Sequence, residues 1–505
     1  MTTSTTGQSP SRDARTPSVT ARLDRIPVAT TSHRRWALLL GFLFSFDLID
    51  LNTFAYAAPR LREQWDLPLD GVGVITSVGF AGMFIGALLG GRLSDRFGRR
   101  RVLLGAVVFY SFFSLLSAVS FNAWQMGVTR FLTGVGLQAM TGVLLVWVSE
   151  MYPRALRGRY QSWILVLGFV GVPVSAWVSR LVIPLGPESW RWVFVVGALG
   201  VVGVVIAARI LPESVRWHVA HGKEEAASAL VTRLEEEAVA RTGTPLPPPT
   251  QAPPLPRGGL ADLLTGRNRR RLIATSLVSI FLILCFYGFN SWVPTLLVEN
   301  GYTQSESLTV TSVLAAAAVP GALLAIPFID RWDRRWMLLC IETCVAVLLL
   351  VFGLIDGATA LIVSGFLATM LLQCGVAVQY TYIPEVFPTP LRGLGAGIAT
   401  GFGRLSGVIG GVTVGWIYTT FGFAAVFVYL AAMALAMGLV LIALGERTTN
   451  MALDTIGADA ASAATDTGTG SVTDLATGSA ADGSTGPAAD TATGTPTQTR
   501  KRSMP

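Results

Sequence analysis

Twelve runs of roughly 20 predominantly apolar residues succeed one another along the chain, the length a helix needs to cross the hydrocarbon core of a bilayer. They fall at about 36–58, 71–91, 102–120, 122–149, 160–183 and 190–211, then at about 271–294, 307–329, 336–355, 358–383, 394–417 and 421–444. In lipid every backbone N–H and C=O must be satisfied internally, and unbroken apolar runs of this length do so as helices. Composition agrees: 51% of the 505 residues are hydrophobic and 14% charged, where a soluble domain carries about 25% charge. The predicted fold is an all-α membrane protein with twelve transmembrane helices.

A formal net charge of +7 would suit a nucleic-acid binder, but the basic residues do not form one continuous face, so that partner is excluded. They sit in alternate loops. One set holds Arg12, Arg15, Arg22, Arg25, Arg34 and Arg35, then Arg92, Arg96, Arg99, Arg100 and Arg101, then Arg154, Arg157 and Arg159, and later Arg331, Arg334, Arg335 and Arg392. The other set holds only Arg60, Arg62, Arg180 and Arg191 near the membrane. Cytoplasmic loops carry the excess of Lys and Arg, which places both termini in the cytoplasm and the chain in the plasma membrane. The polar first 35 residues lack the form of a cleavable signal, so the first run is read as a retained helix. Cys285, Cys340, Cys344 and Cys374 all lie in spans without a completing His or further Cys, and are read as packing residues. No metal or cofactor is expected.

The chain repeats itself. Asp95-Arg-Phe-Gly-Arg-Arg100 corresponds to Asp330-Arg-Trp-Asp-Arg-Arg335 at an offset of 235. Glu150-Met-Tyr-Pro-Arg-Ala-Leu-Arg157-Gly158 corresponds to Glu385-Val-Phe-Pro-Thr-Pro-Leu-Arg392-Gly393, and Pro59 to Pro294, at the same offset. The expectation is two pseudo-symmetric six-helix bundles, 36–211 and 271–446, with a binding site between them near the bilayer midplane. Residues 1–35 are expected to be a disordered tail. The segment 212–270 reads as a cytoplasmic linker, with a helix around Lys223 to Arg241 and an extended Pro-rich stretch from Pro245 to Pro256. Residues 447–505, poor in large apolar side chains, are expected to be disordered.

Ionisable residues inside a span are costly and point to function. Asp47 and Asp50 lie about 16 and 21 Å along the helix from Trp36, and their i,i+3 spacing puts them on one face. Two carboxylates in a low-dielectric site repel, so one of them is suited to take up and release a proton. No histidine lies within a span (His33, His218 and His221 are placed outside), so proton coupling falls to Asp47 and Asp50. Arg130 reaches a depth similar to Asp50 and is expected to pair with Asp50 or Asp47, or to clamp a substrate carboxylate through its planar fork. Arg404 is a second buried cation, and Glu342 in the ninth run is a weaker candidate because that helix is placed peripherally. Asn52, Tyr56, Gln138, Asn290, Trp292, Gln373, Gln379 and Tyr380 are further polar or amphipathic residues within spans, and a ligand site takes a few such groups among apolar walls. No nucleotide loop, metal cluster or nucleophile arrangement appears, so neither an enzyme nor an ATP-driven pump is indicated.

Gly91-Arg-Leu-Ser-Asp95-Arg96-Phe-Gly98-Arg99-Arg100, its degenerate copy at Asp330, and Arg130-Phe-Leu-Thr-Gly134-Val-Gly136 resemble the signatures of the major facilitator superfamily. The resemblance covers roughly residues 36–446. Pro212-Glu-Ser-Val-Arg-Trp217 and Tyr382-Ile-Pro-Glu385-Val-Phe-Pro388 are similar to the branch around sugar porters and organic acid porters. Asp47-Leu-Ile-Asp50 and Tyr287-Gly-Phe-Asn-Ser-Trp292-Val-Pro294 resemble aromatic acid/proton symporters, with Leu48 where that group has glycine. Leu284 and Cys285 stand where sugar porters have paired glutamines. The resemblance implies a secondary transporter working by alternating access as a monomer, taking up a small organic acid of aromatic type with protons. A sugar, polyol or other metabolite porter and a proton-driven exporter are the alternatives. It also implies a cytoplasmic gate of Asp95, Arg96, Arg100, Glu150, Arg157, Asp330, Arg334, Glu385 and Arg392, with Asp95 near the positive end of the eleventh helix.

Overall fold

Prolines decide where the long helices break. In the computed structural model, which describes residues 18–249, 259–329, 331–355, 357–388 and 390–446, the crossing helices are α1 (Thr31–Trp65), α2 (Leu69–Phe97), α3 (Arg99–Ala118), α4 (Ala123–Met151), α5 (Arg154–Leu185), α6 (Trp190–Ile210), α7 (Gly266–Asn290), α8 (Gln304–Phe328), α9 (Arg334–Leu354), α10 (Ala358–Val386), α11 (Arg392–Phe421) and α12 (Phe423–Leu444). A proline has no N–H for the carbonyl four residues before it. Accordingly α5 is interrupted after Phe169, four before Pro173; α7 ends at Asn290, four before Pro294; and the first part of α8 ends at Ala316, four before Pro320. A short helix, Val293–Glu299, follows α7. Pro59 and Pro384 are carried inside continuous helices instead.

Eleven of these helices are long and apolar enough to cross a membrane on those criteria alone. The twelfth, α11, has the length, 30 residues, but nine of them are glycine, which contributes no apolar side chain. Those glycines set its packing. A Cβ at Gly407 would meet the Phe80 ring, one at Gly411 would meet Ser77, and one at Gly73 would stand 2.8 Å from the Gly411 carbonyl oxygen. Helices α2 and α11 therefore touch backbone to backbone, as small residues permit in lipid. Within the first half, Gly82, Gly86 and Gly90 of α2 lie in the same way against Phe131, Val135 and Ala139 of α4.

The internal repeat is carried into the helix boundaries. The starts of α1 and α7, of α2 and α8, of α3 and α9, and of α4 and α10 are each separated by 235 residues. The ion pairs follow the same rule: Arg99 to Glu150 at 3.0 Å in one half, Arg334 to Glu385 at 3.0 Å in the other.

The two ends of the molecule differ. At the end away from the Arg-rich loops the halves are joined: Arg62 pairs with Glu299, Arg180 donates to Thr309 at 3.0 Å, and Ser312 donates to the Ala176 carbonyl at 3.1 Å. At the basic end the ion pairs among the described residues stay within one half. There Gly393, Gly397 and Gly401 of α11 have open space where a Cβ would stand, and Gly91 of α2 does too. The halves meet at one end and part at the other.

The expected tail through residue 35 is ordered from residue 18 onward, which corrects that reading. A helix, Val19–Asp24, docks on the linker helix Glu224–Thr242, because Arg22 and Arg25 both pair with Glu235, at 2.7 and 2.9 Å. Ser32 at the start of α1 donates to Glu237, and Asp24 caps the backbone of Arg154 at 2.9 Å. Composition misled here because the apolar residues that dock, Leu23 and Ile26, are few and flanked by polar ones. Residues 1–17, most of the Pro-rich stretch, Asp330 and the segment 447–505 lie outside the described residues.

Candidate functional site

Between the halves lies a cavity of about 1210 Å³, part of it open to solvent. Its walls come from α1, α2, α4 and α5 on one side and α7, α8, α10 and α11 on the other. Phe44, Tyr56, Phe169, Phe286 and Phe289 supply aromatic surface, and Asn52, Gln138, Asn290, Gln373 and Gln379 supply amides. Asn52 and Asn290 each donate to the carbonyl four residues earlier, at 2.7 and 2.8 Å, which leaves their amide oxygens available. Gln379 donates to Ser279 at 3.1 Å.

Asp47 and Asp50 share a helix but not a role. Asp47 lines the cavity, is 4% exposed, accepts from Thr141 at 3.0 Å through Oδ2, and has no partner for Oδ1. Asp50 is fully buried behind it. Its Oδ2 lies 3.1 Å from Arg130 Nη1, its Oδ1 accepts from Ser114, and Gly197 of α6 gives it room. Arg130 also donates to the Asp50 carbonyl at 3.2 Å and sits over the Phe194 ring at 5.8 Å. The sequence left Asp50, Asp47 or a substrate carboxylate open as the partner of Arg130; Asp50 is the carboxylate it reaches here. Arg130 faces a smaller cavity beside the large one, and Trp292, 1% exposed, packs in the core against Gly415; neither lines the large cavity.

The cation on the cavity wall is Arg404 of α11. Its Nη1 donates to the Tyr287 hydroxyl at 2.9 Å and its guanidinium lies 5.9 Å from that ring. None of the ion pairs among the described residues includes it. Tyr287 in turn packs edge-on to Phe80 of the other half, centroids 4.7 Å apart. Tyr287, Thr141 and Ser114 were not singled out as site residues by sequence reasoning. Their signal was spacing: Thr141 lies three residues beyond Gln138 on α4, and Ser114 faces α1 from a serine-rich stretch of α3.

The expected gate residues gather at the basic end. Asp95, 73% exposed, pairs with Arg99 at 2.9 Å, and Arg99 bridges to Glu150. Arg96 stacks on Phe97. Arg157 reaches the Tyr152 carbonyl at 3.4 Å and Asp24 at 3.9 Å. Arg392 opens α11 at the same end. A residue outside that expectation, Glu213, does much of the tying: its carboxylate accepts from the Arg100 backbone N–H at 3.0 Å, capping α3 where Gly98 makes the turn at φ +100°. Ser214 donates to Glu150, and Trp217 Nε1 donates to the Asp95 carbonyl at 3.0 Å. The Pro-Glu-Ser run after α6 is thus the strap that fixes the α2–α3 turn.

A membrane-embedded pair of six-helix repeats enclosing a central cavity, joined at one end and parted at the other, defines a secondary transporter of the major facilitator type. The comparisons agree. Residues 36–458 match the family described as "Sugar (and other) transporter", and the chain belongs to that family. It is 38% identical to the putative metabolite transport protein YyaJ of Bacillus subtilis strain 168, over 85% of this chain and 95% of that one. It is 30% identical to the niacin transporter NiaP of Acinetobacter baylyi, over 86% and 99%. It is also 30% identical to the 3-(3-hydroxy-phenyl)propionate transporter of Escherichia coli K12, over 76% and 88%. Among solved structures, the partially occluded inward-open form of the xylose transporter XylE from E. coli superposes with a TM-score of 0.68 at 18% identity, covering 83% of this chain and 99% of that one.

Proposed function

We propose that the protein takes up a small aromatic carboxylate together with protons. The observation that carries this is Arg404, a guanidinium on the cavity wall held by a tyrosine hydroxyl rather than by a carboxylate. An arginine fork suits a carboxylate bidentately, and the aromatic side chains around it suit a flat ring. The names of two relatives, a niacin transporter and a hydroxyphenylpropionate transporter, support an aromatic acid as substrate.

In this reading the substrate carboxylate binds Arg404 and the ring lies among Phe44, Phe169, Phe286 and Phe289, while the amides of Gln138 and Asn290 recognise ring substituents. Asp47, facing the same cavity with one oxygen unpartnered, carries the proton. A neutral Asp47 leaves Arg404 free for the anion, and loss of its proton returns a charge that competes with the substrate. Asp50 and Arg130 hold each other behind the cavity wall and keep α1 and α4 in register. The basic end faces the cytoplasm by the positive-inside rule, so the cavity described above opens inward and the joined end closes the outer side.

The test is uptake by proteoliposomes of labelled 4-hydroxybenzoate and labelled nicotinate, with acid and with neutral exteriors and a labelled hexose as control. The expected result is acid-driven accumulation of an aromatic acid. Asp47→Asn should lose the acid stimulation but keep exchange. Arg404→Gln should raise KM about 30-fold or more, since truncating one member of a desolvated charge pair costs about 2–5 kcal/mol. Movement of the hexose alone, or an unchanged KM in R404Q, would overturn this reading.

A further inference from the structure

Glu342 lies in the middle of α9, 0% exposed, and neither carboxylate oxygen has a hydrogen-bond partner. None of the ion pairs among the described residues includes it. The nearest basic side chains on its own helix, Arg334 and Arg335, are roughly 11–12 Å of helix rise away and engage Glu385 and the Ile442 carbonyl. The charged groups on the helices around it, Arg267, Arg269, Arg270 and Arg271 of α7 and Glu385 of α10, lie at the basic end, where Arg267, Arg271 and Glu385 have ion pairs of their own; the other titratable side chains there are neutral. Helix α7 has the fully buried Cys285, α10 has Cys374 beside Gly375, and α12 has Tyr429. A carboxylate enclosed this way without a cation costs so much solvation that the group neutralises instead.

The repeat adds a second, independent observation. Cys285 is the counterpart of Asp50 at the offset of 235, and α9 is the counterpart of α3. In the first half the buried carboxylate sits on α1, touches Ser114 of α3 and is compensated by Arg130. In the second half the buried carboxylate comes from α9, at the counterpart of Val107 rather than of Ser114, and the counterpart of Arg130 is Gly365. The first half thus compensates its fully buried carboxylate, Asp50, with a cation, and the second half has no cation at the matching position for Glu342. Gly375 of α10 lets that helix close on the carboxyl: a Cβ there would stand 3.0 Å from Glu342 Oε1. Two residues away, Gln373 lines the cavity with its amide nitrogen unpartnered.

We propose that Glu342 is a second proton-binding site, one behind the cavity wall of the C-terminal half, with its proton doing there what the Arg130 charge does in the N-terminal half. One proton joins one carboxylate oxygen and no other reactant is needed. The inference does not depend on which solute is carried, and its test uses none. Full-length protein in lipid is compared by infrared spectroscopy with Glu342→Gln and, should that variant fail to assemble, with Glu342→Leu. The expected difference spectrum at neutral pH contains a carboxylic-acid carbonyl band that is lost as the pH is raised through the alkaline range. In parallel, the melting temperature of the wild type should fall relative to E342Q as the pH rises, because the proton is bound in the folded state and its removal leaves a buried charge. A carboxylate band at neutral pH, an acid band that does not titrate, or parallel melting curves would each overturn the proposal.

Discussion

Breaking the Asp50–Arg130 pair by one partner should cost far more than removing both. At an N···O separation of 3.1 Å and an effective dielectric of about 20, the attraction is about 5 kcal/mol. That gain is offset by the desolvation of two charges with side-chain exposures of 7% and 0%, so the pair as a whole contributes little beyond apolar packing. Arg130→Met leaves Asp50 buried with Ser114 as its remaining side-chain partner, and Asp50→Leu leaves Arg130 with the Thr53 hydroxyl and a carbonyl. Each single change should therefore cost about 3–5 kcal/mol, while the double variant should lie within about 1–2 kcal/mol of the wild type. The coupling energy expected from the cycle is then about 4 kcal/mol or more, well above the roughly 0.5 kcal/mol within which independent sites add. Unfolding titrations of purified protein in mixed micelles, run for all four proteins at one pH, measure it. Additive single effects would show that the two charges do not support each other, and the assignment of Arg130 as the fixed partner of Asp50 would fall with them.

Three other perturbations probe the two ends of the molecule. Gly73→Val inserts a branched side chain where a Cβ alone would stand 2.8 Å from the Gly411 carbonyl oxygen; overpacking of about 1–3 kcal/mol should shift the conformational equilibrium about 5–150-fold toward opening of the joined end, read as faster thiol labelling of a single cysteine placed at Val293, and unchanged labelling would refute the wedge. Asp95→Asn removes an exposed pair with Arg99 that contributes at most about 1 kcal/mol, so its melting temperature should stay near wild type while flux falls about 2–30-fold, the range of a carboxylate at a helix N-terminus in the alternate state; wild-type flux would sink the gate assignment. Glu235→Gln releases Arg22 and Arg25 together, and limited trypsin digestion after Arg25 should accelerate about 5–30-fold from the loss of roughly 1–2 kcal/mol, whereas an unchanged rate would mean that other contacts hold the Val19–Asp24 helix.

Which features could be read from the sequence follows from how local each one is. The apolar runs, the offset of 235 and the depth of Asp47, Asp50 and Arg130 are properties of one helix or of the chain as a string, and the helix starts reproduce the offset. The choice between Asp47 and Asp50 as the partner of Arg130 is not: i,i+3 spacing places both on one face, and rotation of α1 against α4 by part of a turn decides which reaches the guanidinium. Gly197 of α6, which makes room for Asp50, comes from a third helix whose register no local pattern gives. Arg404 shows the same limit. Its span is the one least apolar by composition, because nine glycines let α11 lie against α2 and α7; the backbone approach that hides the span from a hydropathy scan also sets where the guanidinium meets Tyr287. The docking of the Val19–Asp24 helix was hidden for a related reason, since it rests on two arginines and one glutamate brought together across about 210 residues of chain. In each case the missing information is tertiary, and the residues that supply it are mainly small or charged, with few apolar ones beside them, so they leave little trace in a pattern of hydrophobicity.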